Sequence, residues 1–320
     1  MRTCLAMVHA IFASGQSSTR GGWLKHQCTV ALSLPAVLPA SANSLAGGAT
    51  SGAELTAAYA AFADALTRCP ASSDDFSSAT RAREMVVELE LPSALALVRA
   101  HGRPLLDIVR RSSGLLYRGE ALSSGGGGKG GGPRAVTEKP DLLDAETYGS
   151  AVAAEYFRAA DAIMDKEFQA PASRPSNAHI MVSNKEAAAA WGTACSIWPL
   201  GDSLDYSWLD GCAELWDPRW ERPGSRSSPP NGNREAFFWR DEDGMRHFLA
   251  EGLRINSGLP EAIRCGHEVL VRSGEFSFGS EARTGRGAAV VQDAFVCIPA
   301  SEDRAVRSAL GIPAERIPYR

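Results

Sequence analysis

A change in hydrophobic spacing along the chain most limits what it can fold into. From residue 53, Leu55, Ala58, Tyr59, Phe62 and Leu66 recur at steps of three and four, which lays one apolar stripe along a helix. Further helical segments are expected over 75–86, 94–98 and 105–110, with Gly102 and Pro104 as punctuation. Toward the C-terminus the pattern shortens. Segments 236–239, 268–272, 275–278 and 289–298 are β-rich and separated by turn residues. Helices first and strands later predict an α+β fold, with a helical N-terminal layer followed by a mixed or antiparallel sheet rather than a doubly wound one.

Between these halves, 115–117 reads as a short strand running into Arg118 and Gly119. Residues 141–168 read as a long helix whose apolar face carries Tyr156, Phe157, Ile163 and Met164. A strand over 179–182 and a helix over 184–191 follow. Six of the seven tryptophans fall between 191 and 239, so 198–220 is expected to be an irregular, aromatic-rich region, either a core or a binding surface. Residues 123–133 hold seven glycines around Lys129. Such a tract has too little side chain to pack and reads as a flexible insertion. A phosphate-cradling loop would end in Gly-Lys-Ser/Thr before a helix, and no such ending follows here. Residues 225–233 form a second polar loop rich in Pro and Gly.

The N-terminus differs from the rest. No Asp or Glu precedes Glu54, while Arg2, Arg20 and Lys25 lie among Ser, Ala, Thr and Gly. An acid-free, Ser-rich and lightly basic stretch is the composition of an organellar transit peptide, for a chloroplast or mitochondrion. The apolar run 4–13, ending at Ala13-Ser14-Gly15, keeps a secretory signal open as the alternative. The expected organisation is a leader over 1–50, a helical segment over 51–112 and an α+β domain over 113–320. The apolar run 29–42 is interrupted by Pro35 and Pro39 and falls short of the roughly twenty residues a membrane helix needs, so no integral membrane span is expected.

A net charge of -4 with 22% charged residues gives no basic surface for nucleic acid, and none is expected as a partner. Seven cysteines are scattered without a Cys-x-x-Cys pair, which supports neither a zinc site nor a dense disulfide framework. His179, His247 and His267 lack metal-ligand spacing, and no metal is expected.

Three segments carry candidate chemistry: Leu115-Leu116-Tyr117-Arg118-Gly119, Ile180-Met181-Val182-Ser183-Asn184-Lys185-Glu186, and His267-Glu268-Val269-Leu270-Val271-Arg272. In that order they resemble the Arg, Ser and Glu motifs of the mono-ADP-ribosyltransferase family, over about 105–278. The resemblance implies a sheet core of that family's type, NAD as substrate, and ADP-ribosyl transfer to an unknown protein or small-molecule acceptor, or hydrolysis of NAD. It implies that Arg118, with Tyr117 and Gly119, binds the cofactor and that Glu268 and Ser183 are catalytic.

The residue types suit that chemistry. A guanidinium is a planar, permanently charged fork that pairs with phosphate oxygens, the role of Arg118. Breaking the bond between nicotinamide and ribose develops oxocarbenium character, which a carboxylate such as Glu268 stabilises more in the transition state than in the ground state. Phe237, Phe238 and Trp239 are candidates for stacking on nicotinamide. Two positions depart from the family's pattern. Gly266 stands where an acceptor-choosing Glu or Gln is usual, and Lys185 replaces the second serine of Ser-x-Ser. Taken singly, each residue also has a plainer reading: Arg118 at a strand-to-turn surface, Ser183 as a helix N-cap, Glu268 as a solvated strand residue. The competing function is a non-enzymatic organellar interaction or accessory protein using the Trp-rich region as its surface.

Overall fold

The computed structural model describes residues 28–30, 52–68, 85–120, 131–137, 140, 143, 151–168, 173–210, 242–278, 289–291 and 293–314. In chain order the strands are β1 (Cys28–Val30), β2 (Met85–Glu88), β3 (Tyr117–Glu120), β4 (Arg134–Thr137), β5 (His179–Val182), β6 (Thr193–Pro199), β7 (Leu204–Leu209), β8 (Leu253–Ile255), β9 (Glu268–Ser273), β10 (Phe276–Phe278), β11 (Ala289–Val291) and β12 (Ala294–Pro299). The helices are α1 (Gly52–Arg68), α2 (Leu91–His101), α3 (Arg103–Ser112), α4 (Ala151–Glu167), α5 (Lys185–Ala189), α6 (Glu242–Gly252), α7 (Leu259–Cys265) and α8 (Asp303–Leu310).

The fold is α+β. Among the described residues ten strands form one sheet in the order β1-β2-β4-β12-β6-β3-β5-β9-β7-β8. From β2 to β8 every neighbouring pair is antiparallel, and β1 adds parallel to the β2 edge. Strands β10 and β11 form a separate antiparallel pair. Proline is the second residue of α2, α3 and α7, where its missing N–H costs nothing and its fixed φ suits a first turn. Left-handed residues close α3 at Ser113, α7 at Gly266 and α8 at Gly311.

Two apolar cores pack against the sheet. Helices α1 to α3, α7 and α8 pack with β12, β6 and the inner residues of β9 and β7 in the larger one. On α4, Tyr156, Phe157, Ala160, Ile163 and Met164 recur at helical spacing and bury against Leu209, Leu270 and, from α6, Met245 and Leu249. A fully buried side chain of this size contributes about 1.5–3 kcal/mol, so α4 is held mainly by that stripe.

Several expectations need correction. Residues 85 and 86, expected at the end of a helix, begin strand β2, because β4 supplies a ladder for them; the rest of that expected helix, 75–84, lies outside the described residues. The strand expected over 115–117 begins at Tyr117 instead. The region expected to be irregular from Trp198 contains two regular strands, β6 and β7, with Trp198 and Trp208 buried in them. The single strand expected over 289–298 is two, broken at Asp293, which adopts φ 53°. Strands also precede and interleave with the helices rather than following them. The two polar loops fall largely outside the described residues, as do 211–241 with Phe237, Phe238 and Trp239.

Candidate functional site

The three motif segments lie on adjacent strands. β9, β5 and β3 are neighbours, and Val182 pairs with both Glu268 and Tyr117, so Tyr117, Val182 and Glu268 form one row across the strand ends. Neighbouring strands are about 4.8 Å apart, which sets the Tyr117 and Glu268 backbones roughly 10 Å from each other.

The same register separates their side chains. Directly opposed residues of antiparallel strands point to one face, and successive residues alternate. Tyr117, Val182 and Glu268 therefore share a face, whereas Arg118 leaves the other one. There Arg118 Nη1 donates to His179 Nδ1 at 3.2 Å, its Nε lies 3.5 Å from Glu120 Oε1, and its guanidinium stands 5.8 Å from the centre of the Phe295 ring. The expected convergence of Arg118 and Glu268 in one cleft is thus not what the register gives. Strands β3 and β5 share one residue pair, and beyond it His179 meets Phe295 of β12 edge to face at 5.3 Å. Side chains of the β5–β9 half and of the β6–β12 half line a common crease on this face.

Tyr117 and Gly119 do not line the crease. The buried Tyr117 hydroxyl donates to Asp303 Oδ2 at 2.8 Å, at the start of α8, where the helix dipole favours a carboxylate. Gly119 lets α5 approach β3: a Cβ on it would meet the Ala188 carbonyl oxygen at 2.3 Å and Trp191 Cβ at 2.6 Å. Both residues expected to bind the cofactor therefore make contacts within the fold. Ser183 sits half-buried just past β5, beside the row. It is not the N-cap of α5; Asn184 is, its side-chain oxygen accepting from Ala187 N at 3.0 Å. Glu268 is half-exposed at the first position of β9. His267 is fixed by donating from Nδ1 to the Leu209 carbonyl at 2.9 Å and by its edge contact with Trp208. Gly266 turns α7 into β9 with φ 81°, a left-handed conformation that the Glu or Gln usual at this position would strain.

The crease holds a cavity of about 10 Å³ lined by His179, Met181, Ser273, Asp293 and Phe295, room for one water-sized group. The buried atoms Ser273 Oγ and Asp293 Oδ1 make no hydrogen bond among the described residues. Burial holds the Asp293 carboxyl above its ordinary range, opposed by the charge of Arg272. Further along the face, Glu120 Oε2 accepts from Arg134 Nη2 at 2.9 Å. Cys195 and Cys297 lie buried between these charges; burial pushes the Cys195 thiol up to about 11 and the Cys297 thiol well above its ordinary value, so both stay protonated and unreactive.

Sequence reasoning missed Glu120, Arg134, Asp293 and Phe295. Glu120 carried a signal, since it follows Tyr-Arg-Gly and strand alternation puts it on the Arg118 face. Arg134, Asp293 and Phe295 arrive by strand order, which no local pattern reveals. Among the described residues no group of three His, Cys, Asp or Glu is placed to hold a metal, and no helix is long and apolar enough to cross a membrane. Of the described tryptophans, Trp191 is 63% exposed, while Trp198 and Trp208 belong to the core. Comparison with known proteins gives no match: no family model, curated protein or solved structure is significantly similar to this chain.

Proposed function

We propose that this chain binds NAD and cleaves the bond between nicotinamide and ribose, passing ADP-ribose to an acceptor or to water. The observation that carries the reading is the adjacency of the three motif strands, with Tyr117, Val182 and Glu268 in one row. In this reading Arg118, beside the crease through His179 and Phe295, pairs with the pyrophosphate, and the ribose lies over the strand ends, where Glu268 is first in its strand and half-exposed. The C1′–nitrogen bond breaks with its electron pair leaving on nicotinamide, Glu268 stabilises the positive charge developing on the sugar, and the acceptor's nucleophile then bonds to C1′. Ser183, beside the row, supports the strand end. Because Arg118 and Glu268 leave opposite faces, the ligand must reach round the ends of β5 and β9.

The test is nicotinamide release from NAD by the full chain, comparing wild type with Glu268→Gln and Asp293→Asn. The reading expects release that Glu268→Gln abolishes. Release lost in Asp293→Asn but kept in Glu268→Gln would move the catalytic carboxylate into the crease. A wild-type chain that neither binds NAD nor releases nicotinamide would overturn the reading.

A further inference from the structure

Glu120 lies two residues beyond Arg118 on β3 and so projects from the same face. It stands between two guanidiniums: Oε2 accepts from Arg134 at 2.9 Å, and Oε1 is 3.5 Å from Arg118 Nε. The Glu120 and Arg134 side chains are 11% and 13% exposed and that of Arg118 is 23% exposed, so Arg118 is the most accessible of the three.

Arg134 reaches Glu120 from three strands away, because β12 and β6 lie between β4 and β3. Arg134 pairs with Cys297 on β12, and Arg118 pairs with Cys195 on β6. The two cysteines are small and uncharged, which leaves a path for the Arg134 side chain across both strands. A buried ionic group of this kind adds little net stability compared with an apolar replacement, while breaking it on one side is costly.

We propose that Glu120, held by Arg134, is a positioning residue that keeps Arg118 aimed for a phosphate-bearing ligand. This rests on the reading of Arg118 as the phosphate anchor. Glu120 limits the rotamers of Arg118 before the ligand arrives, so less side-chain freedom is lost on binding.

The experiment measures NAD and inorganic pyrophosphate binding by calorimetry, and NAD turnover, for the full chain. It compares wild type with Glu120→Gln and with the double variant Glu120→Gln/Arg134→Met. The double variant removes the charge pair together, so that no buried charge is left alone. Both variants are expected to bind NAD and pyrophosphate about tenfold more weakly, with KM raised and kcat unchanged. A double variant that melts like wild type and binds both ligands like wild type would overturn the positioning role and leave the NAD reading intact. A wild-type chain that binds pyrophosphate in a Glu120-dependent way but never turns over NAD would overturn the NAD reading and keep the positioning role. Binding of neither ligand by wild type would overturn both.

Discussion

Replacing Gly119 with alanine separates a structural from a ligand-binding role for the Tyr-Arg-Gly segment. The added Cβ would lie 2.3 Å from the Ala188 carbonyl oxygen, 2.6 Å from Trp191 Cβ and 2.9 Å from the Trp191 carbonyl carbon. Two of these atoms are backbone, so no rotamer change relieves the contact. Either α5 and the turn after it move away from β3, or β3 bends. Overpacking of this kind costs about 1–3 kcal/mol. At about 2–4 °C per kcal/mol for a domain of this size, the melting temperature should fall by roughly 2–12 °C. Thermal denaturation followed by circular dichroism measures it. An unchanged melting temperature would refute the packing reasoning and return Gly119 to the list of residues that face a ligand.

Other outcomes follow from the same contacts. Tyr117→Phe removes the hydroxyl that donates to Asp303 and should cost about 1.5–3 kcal/mol in urea denaturation, as for a hydrogen bond to a charged group, with NAD affinity unchanged; a loss of affinity without a loss of stability would put Tyr117 in the site. Asp293 binds its proton more tightly folded than unfolded, since burial raises its carboxyl above the ordinary 3.8. Its contribution therefore makes stability fall as pH rises through the window just above 3.8. Asp293→Asn should remove that slope and be more stable than wild type at neutral pH but not at acid pH; superimposable pH profiles would refute this. Among Cys195, Cys265 and Cys297, the exposed Cys265 should be alkylated first in the native protein, with mass spectrometry finding Cys195 and Cys297 modified only on unfolding. Equal labelling of all three would show that the β6–β12 face opens.

The elements readable from sequence are those whose local pattern and tertiary pairing agree. Residues 179–182 form β5 with the expected ends, and the Glu-Val-Leu-Val run forms β9 with one residue added. Strand β2 was hidden because Val86 and Val87 fit one helical turn as well as a strand, and only pairing with β4 decides between them. Strand β6 is buried on both faces from Cys195 onward, so it shows no alternation to read. The break at Asp293 rests on one backbone angle. For the site, the motif residues were visible but their facing was not. Whether Arg118 and Glu268 share a face depends on the register of β3 on β5 and of β5 on β9, and shifting one strand by one residue would reverse the answer.

The most direct test of the central claim is a crystal structure of the full chain with a non-hydrolysable NAD analogue. The account predicts pyrophosphate oxygens within hydrogen-bond distance of the Arg118 guanidinium and the nicotinamide ribose beside Glu268 at the start of β9. An analogue bound away from both residues, or absent from the crystal at saturating concentration, would contradict it.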